Sequence, residues 1–314
     1  MRDLRIVFMG TPDFAVAILD ALVKATYNVV GVITAPDKPA GRGRKIQESA
    51  VKKYALENNL TILQPTNLKN EDFIKELQNL NANLQIVVAF RMLPKVVWQM
   101  PEYGTFNLHA SLLPDYRGAA PINWAIINGE TKTGVTTFFI DEKIDTGNII
   151  LQEEVLIGET EIVGELHDKL MHLGSKLVVK TVEQIQLNKV NTTKQPKIEE
   201  KSAPKIFSDT CKIKWEKPLN NIYNLIRGLN PYPTAWTTLI NDGEKIKVKI
   251  YNVQKEFDNH QYKPGTLIST KNEIKVAVND GYIKIESLQL SGKRRMDSKS
   301  LLNGYTFSEN AIMQ

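Results

Sequence analysis

Hydrophobic positions in the first half of the chain alternate between two spacings, which predicts alternating strands and helices. Nearly uninterrupted apolar runs at 4–10 and 29–34 are typical of strands buried on both faces. Between them, residues 12–26 carry apolar side chains at helical spacing, with Thr11 as a cap and Pro12 at the first helical position. A strand, a helix and a second strand predict a parallel, right-handed βαβ unit.

The alternation continues along the chain and predicts an α/β doubly wound sheet of the Rossmann-like class. Residues 148–157 should add an antiparallel strand, and 161–188 a long helix. The remaining elements of this part are strands near 60–64, 84–90, 104–110 and 134–140, and helices near 48–58, 71–79, 94–99 and 119–128.

The pattern changes after residue 189, which predicts a second domain. Residues 190–206 are polar and contain two prolines, as linkers do. We therefore expect an α/β domain at 1–189, a linker at 190–206 and a C-terminal domain at 207–314. After a helix near 218–229, the last domain shows short alternating stretches that favour a small OB-like β-barrel, at 235–240, 246–253, 265–269, 273–279 and 281–290.

Composition is that of an ordinary globular protein, with 42% hydrophobic and 24% charged residues. No apolar run approaches the roughly 18 residues of a membrane helix, and Met1 leads straight into a strand pattern rather than a signal peptide. The single cysteine, Cys211, excludes an internal disulfide and favours a cytoplasmic location.

The net charge of +5 is unevenly distributed. Residues 1–205 hold 24 Lys/Arg and 24 Asp/Glu, whereas residues 206–314 hold 16 Lys/Arg and 11 Asp/Glu. A basic C-terminal part indicates either a polyanionic partner or a solvated lysine-rich surface, and charge alone leaves both open.

Candidate chemistry centres on Asn107 and His109. Residues two apart on a strand point to the same face, so this amide and this imidazole should project together. Such a pair suits a site where negative charge develops on oxygen and a proton must move. Asp145, in Ile144-Asp-Thr-Gly147, could favour the imidazolium and orient the ring.

Other polar or glycine-rich segments should meet these residues at one sheet edge. Four segments lie at the carboxyl ends of predicted strands: Gly10, Asp37 to Lys45, Phe90 to Leu93, and Asn107 to Pro114. An open parallel sheet binds its ligand beyond the carboxyl ends of its strands.

The run Asn107-Leu-His-Ala-Ser-Leu-Leu-Pro114, with the later Asp145-Thr-Gly147, resembles the folate-dependent formyltransferases. The resemblance implies that Asn107, His109 and Asp145 carry catalysis. It further implies formyl transfer from 10-formyltetrahydrofolate to a primary amine, without a metal.

The same resemblance implies the folate contacts. Ser111, Leu112, Leu113 and Pro114 match the folate-binding segment. Phe90, Met92 and Leu93 match the segment that holds the pterin ring through backbone groups and apolar side chains, although here it is one residue shorter than in most relatives. Asp141 completes the implied folate site.

The Gly41-Arg-Gly-Arg-Lys45 segment lies in a predicted exposed loop and fits neither phosphate-binding glycine motif. It resembles the loop with which tRNA-formylating members of the family enter the acceptor stem, so Arg42, Arg44 and Lys45 are implied tRNA contacts, with a solvated basic loop as the alternative. Phe14 is implied for the methionine pocket, and Lys205 for the tRNA. Methionine-charged initiator tRNA is thus the expected partner of an expected monomer, without membrane contact.

Three other functions remain open. A glycinamide-ribonucleotide formyltransferase shares the chemistry but leaves residues 206–314 unexplained, and Asp13 stands where its phosphate would bind. A sugar-nucleotide N-formyltransferase is the second. A non-catalytic RNA-binding protein is the third, and the intact Asn107, His109 and Asp145 count against it.

Overall fold

The computed structural model describes residues 1–40, 45–196 and 201–314. The chain forms two compact units, each drawn from more than one stretch. The first comprises Met1–Gly118, Thr133–Val155 and His167–Ser202, and the second comprises Ala119–Lys132, Leu156–Leu166 and Ala203–Gln314. The sequence-based limits of 1–189, 190–206 and 207–314 stay a prediction.

A seven-stranded sheet forms the centre of the first unit. The strands up to residue 156 are β1 (Arg5–Gly10), β2 (Asn28–Ile33), β3 (Lys38–Ala40), β4 (Lys45–Gln47), β5 (Ile62–Leu63), β6 (Leu84–Val88), β7 (Thr105–His109), β8 (Arg117–Gly118), β9 (Lys132–Phe139) and β10 (Ile149–Leu156). The sheet order is β10-β9-β7-β6-β1-β2-β5. Strands β5, β2, β1, β6 and β7 run parallel, and β9 is antiparallel to β7. Strand order reverses between β1 and β6, which places the ligand crevice outside their carboxyl ends.

Helices cover both faces of this sheet, which explains why its central strands are apolar at consecutive positions. The helices up to residue 186 are α1 (Asp13–Lys24), α2 (Ala50–Glu57), α3 (Glu71–Asn79), α4 (Lys95–Trp98), α5 (Pro121–Ile127) and α6 (Val163–Gln186). Of these, α5 belongs to the second unit. Phe73 and Leu77 of α3 pack against Val7 and Val87 on one face. On the other face Leu108 reaches α6 so closely that a Cβ at Gly174 would lie 2.7 Å from it.

A nearly closed antiparallel barrel forms the centre of the second unit. The elements after residue 200 are β11 (Ser202–Ala203), a 3-10 turn (Asp209–Cys211), α7 (Leu219–Arg227), β12 (Ala235–Asn241), β13 (Glu244–Phe257), β14 (Leu267–Ser269), β15 (Ile274–Val278), β16 (Gly281–Leu290), β17 (Met296–Asp297), α8 (Ser298–Leu302) and β18 (Ile312–Met313). The sheet order is β14-β15-β16-β13-β12-β18, and a bridge from Thr266 to Ile312 joins its two ends. Ile222 and Ile226 of α7 belong to the core inside.

The predicted fold class, a doubly wound α/β sheet and a small OB-like barrel, is confirmed. The sequence analysis missed β17, α8 and β18, which are too short to show a period. The two stretches that flank the 41–45 segment form a short antiparallel pair, with Lys38 opposite Gln47 and Pro39 opposite Ile46. None of the helices in the described ranges is long and apolar enough to cross a membrane.

Candidate active site

Asn107 and His109 lie at the carboxyl end of β7, between β6 and β9. Asn107 is paired in register with Val87 of β6 and Phe138 of β9. It is half-buried, and His109 is 6% exposed. Since Leu108 faces α6, strand alternation directs Asn107 and His109 to the opposite face, as predicted.

The His109 ring is oriented by a hydrogen bond from Nε2 to the Tyr116 carbonyl oxygen, at 2.8 Å. A carbonyl oxygen can only accept, so Nε2 carries a proton in every state that keeps this bond. Nδ1 is therefore the nitrogen that gains or loses a proton. It lies 3.9 Å from Oδ2 of Asp145, and both side chains are largely buried.

Asp145 is held in place through both its carboxylate and its backbone. Its Oδ2 accepts a hydrogen bond from the Gly118 N–H at 3.0 Å. Its carbonyl oxygen accepts two more, from Nε of Arg117 and Nε2 of Gln195, each at 3.0 Å. The structure thus brings Asp145 together with His109, although 36 residues separate them in the sequence.

Arg117 and Gln195 were missed by the sequence analysis. Both are buried, at 9% and 6% exposure, and Nη2 of Arg117 donates to Oε1 of Gln195 at 2.7 Å. The only sequence signal for Arg117 is its position three residues after the Ser111–Pro114 run. Gln195 offered none, because it lies in a segment with the composition of a linker.

The predicted folate segment 111–114 forms a tight turn fixed by Thr136. Its Oγ1 donates to the Ser111 carbonyl at 2.6 Å and accepts from the Leu113 N–H at 3.2 Å. Gln152 Nε2 reaches both Thr136 Oγ1 and the Leu113 carbonyl, each at 2.9 Å. Ser111 is fully buried, and its hydroxyl donates to the Asp115 carbonyl at 2.7 Å. The turn is consequently shaped before any ligand binds.

Replacing Thr136 by valine is expected to lower the free energy of unfolding by about 1–3 kcal/mol, because the substitution leaves the buried Leu113 N–H without a partner. Urea unfolding of the variant measures this. Thr61→Val, at an exposed threonine, is the control and should change stability little. Equal stability of the two variants would contradict the role given to the Thr136 hydroxyl.

The segment after β6 offers an open cleft of about 430 Å³. Arg91 donates to the carbonyl oxygens of Pro65 and Thr66, and Met92 is 70% exposed at the rim. Leu93 is buried, and Phe90 is half-buried. Within the described residues, the backbone groups of 90–93 form no hydrogen bonds with the protein.

Asp141 makes contacts within its own loop, whereas Phe14 packs against a residue of α6. Oδ1 of Asp141 accepts from the Lys143 N–H at 3.0 Å and from the Thr146 hydroxyl at 2.7 Å, which shapes the loop that presents Asp145. Phe14 is 7% exposed and meets the His167 ring edge to face at 5.3 Å. Phe14 therefore packs in the interior of the first unit.

The predicted tRNA contacts are only partly visible. Arg42 and Arg44 lie outside the described residues, and for Lys45 only the backbone, in β4, is described. Lys205 belongs to the second unit, is exposed, and places Nζ 5.7 Å from the centre of the Phe207 ring.

One outer face of the barrel is basic. Lys245, Lys247 and Lys249 are exposed on β13, opposite alternate residues of β12, and Nζ of Lys247 lies 4.0 Å from the centre of the Trp236 ring. In the described part of the chain these three lysines form no ion pair. The face therefore keeps its positive charge.

Among the described residues, no group of three or more His, Cys, Asp or Glu side chains is placed to hold a metal ion. Burial raises the pKa of the Cys211 thiol. A raised pKa disfavours the reactive thiolate, in keeping with a structural role for this cysteine.

Two family models match the chain. The model described as formyl transferase matches residues 4–182, and the model described as formyl transferase, C-terminal domain, matches residues 205–306. Together they cover most of the chain.

Curated relatives match over nearly the full length. The chain is 62% identical to the methionyl-tRNA formyltransferase of Flavobacterium johnsoniae, covering 99% of each chain. It is 56% identical to the methionyl-tRNA formyltransferase of Bacteroides fragilis, covering 98% of this chain and 97% of the relative.

Solved structures share the fold at low identity. A sugar 3N-formyl transferase, crystallised with dTDP and 5-N-formyl-THF, is 24% identical with a TM-score of 0.66, covering 94% of this chain and all of that one. HypX from Aquifex aeolicus in complex with tetrahydrofolic acid is 16% identical with a TM-score of 0.65, covering 96% of this chain and 47% of that one.

Proposed function

The chain belongs to the formyl transferase family, and on that premise we propose that it moves the formyl group of 10-formyltetrahydrofolate to the α-amino group of methionine on initiator tRNA. The main support for this reaction is the grouping of Asn107, His109 and Asp145 at the carboxyl end of β7. The choice of methionine-charged tRNA as the formyl acceptor rests on the full-length similarity to methionyl-tRNA formyltransferases.

Asn107 and His109 are assigned to the formyl oxygen. As the methionine amine attacks the formyl carbon, negative charge grows on this oxygen. The Nδ2–H of Asn107 and the protonated Nδ1 of His109 are the donors that can stabilise it. One such donor typically contributes about 10²–10³ in rate.

Asp145 is assigned to the transfer of the proton that the attacking amine loses. Its carboxylate lies close enough to His109 Nδ1 to stabilise the imidazolium. Asp145 also positions a water molecule or relays the proton that the amine loses toward the leaving nitrogen.

Two segments of the first unit fit 10-formyltetrahydrofolate, which supplies the formyl group. The unpaired backbone groups of 90–93 suit the polar edge of a pterin ring, and Met92 and Leu93 suit its faces. The 111–114 turn, held by Thr136 and Gln152, supplies a rigid apolar wall. Asp141 is assigned to the same site through the family resemblance.

The tRNA is assigned to the basic parts of the chain. The proposed contacts are Arg42, Arg44, Lys45 and Lys205, with Phe14 at the methionine pocket. Residues 206–314 carry the whole net charge of +5, which suits a phosphate backbone. We further propose that the C-terminal domain binds RNA and that the protein works as a cytoplasmic monomer.

Replacing Arg42 by alanine is expected to raise KM for the charged tRNA by about tenfold, since the loss of one phosphate contact weakens binding without touching the chemistry. The affinity for 10-formyltetrahydrofolate should stay the same. Steady-state kinetics with each substrate varied in turn measure both. Unchanged tRNA kinetics would remove the 41–45 segment from substrate binding.

The proposed function is tested by offering three amines with 10-formyltetrahydrofolate: methionine-charged initiator tRNA, glycinamide ribonucleotide and an amino-sugar nucleotide. Formylation of the tRNA alone supports the proposal. Formylation of a small amine alone would keep the site residues in their roles but overturn the acceptor.

A further inference from the structure

We propose that Gln195 and Arg117 are positioning residues, which hold Asp145 in the conformation that presents its carboxylate to His109. The proposal rests on the function proposed for this site. It concerns two side chains that act through Asp145 rather than on the substrates.

Asp145 needs such support because of its backbone. Its φ of +55° lies in the left-handed region, which is costly for a residue with a side chain. A residue keeps this conformation when its surroundings over-determine it. The surroundings here are two donors on one carbonyl oxygen, Arg117 Nε and Gln195 Nε2.

Gln195 joins three parts of the site through one buried amide. Its Nε2 donates to the carbonyl oxygens of Asp145, at 3.0 Å, and Gly147, at 2.7 Å. Its Oε1 accepts from Arg117 Nη2 at 2.7 Å. Both ends of the loop that begins at Asp145 are therefore tied to the same side chain.

A backbone bridge holds the segment that contains Gln195 in this position. Ile149, at the start of β10, exchanges two hydrogen bonds with Thr193, at 2.8 and 2.9 Å. The bridge fixes the segment two residues before Gln195 beside the Asp145 loop. The contact is thus built into the fold, although the segment has the composition of a linker.

Replacing Gln195 by glutamate distinguishes the donor role of this amide from its acceptor role. A glutamate keeps an acceptor for Arg117, and adds an ion pair, but it has no donor for the Asp145 and Gly147 carbonyls. If the only role of Gln195 is to accept the hydrogen bond from the buried Arg117, Gln195→Glu keeps activity. If Gln195 positions Asp145, Gln195→Glu loses it.

We expect kcat for formyl transfer to fall about 10–100-fold in Gln195→Glu, because a catalytic group displaced by about 1 Å can cost this much. KM for both substrates should stay within about twofold of the wild type. Gln78→Glu, an exposed glutamine on α3, is the control for the added charge and should leave kcat unchanged.

A Gln195→Glu enzyme with wild-type kcat would overturn the proposal, and so would a rise in KM with unchanged kcat. Should that variant fold poorly by circular dichroism, Arg117→Lys takes its place, since one ammonium cannot replace both guanidinium bonds; the same loss in kcat is expected, and its absence would overturn the proposal. The wild type is assayed in parallel. An inactive wild type refutes the proposed function, whereas an active wild type with equally active variants refutes the positioning role alone.

Discussion

Replacing His109 by alanine is expected to lower kcat for formyl transfer by about 10²–10³-fold, the range that one donor to a developing oxyanion contributes. The Nε2–H bond to the Tyr116 carbonyl leaves Nδ1 as the nitrogen that changes its proton, beside the Asp145 carboxylate. No other side chain in the described part of the first unit pairs with Asp145 in this way. Single-turnover formylation of charged initiator tRNA measures the loss, and equilibrium binding of the tRNA should be unchanged.

His172→Ala is the matched control for this prediction. His172 is exposed on α6, and its Nδ1 bonds the Asp168 carbonyl within the same helix. Its removal should leave the rate unchanged. A His109→Ala enzyme that turns over like His172→Ala would place the chemistry elsewhere.

Replacing Gly147 by alanine is expected to lower the free energy of unfolding by more than about 3 kcal/mol and to inactivate the protein. A Cβ at this position would lie 1.7 Å from the Phe139 carbonyl oxygen and 2.9 Å from its carbon. These are backbone atoms of the sheet and cannot move aside as a flexible side chain can, so the cost exceeds the usual 1–3 kcal/mol of overpacking. Chemical denaturation measures the loss of stability.

Gly304→Ala is the control, because a Cβ there meets nothing within 4 Å. Its stability should match that of the wild type within about 0.5 kcal/mol. Gly147→Ala with wild-type stability and activity would mean that the Asp145–Gly147 loop does not need the close approach to Phe139.

Periodicity predicted most of the fold because long elements repeat their burial pattern. The strand pattern around Asn107 placed two polar side chains on one face without any knowledge of their neighbours. The barrel strand Ile312–Met313 could not be found in this way, since two residues carry no period. Its place follows from pairing with Leu239 and Ile240, a contact distant in sequence.

The site was predictable as far as its chemistry is local. His109 and Asn107 stand two residues apart, and the Ser111–Pro114 and Asp145–Gly147 motifs carry the family resemblance. The groups that orient the His109 and Asp145 side chains leave no such motif in the sequence. The Tyr116 carbonyl has no side-chain signal, and Gln195 meets Asp145 across 50 residues by a bridge that composition does not reveal.

The most direct test of the proposed catalysis is the rate of formyl transfer from 10-formyltetrahydrofolate to methionine-charged initiator tRNA. A labelled formyl group is followed with the wild-type protein and, in parallel, with the double variant Asn107→Ala, His109→Ala. We expect N-formylmethionine on the tRNA with the wild type. With the double variant, we expect a loss in rate of at least about 10²-fold while both substrates still bind. Equal rates for the two proteins, or no transfer by a wild type that binds both substrates, would contradict the proposed catalysis.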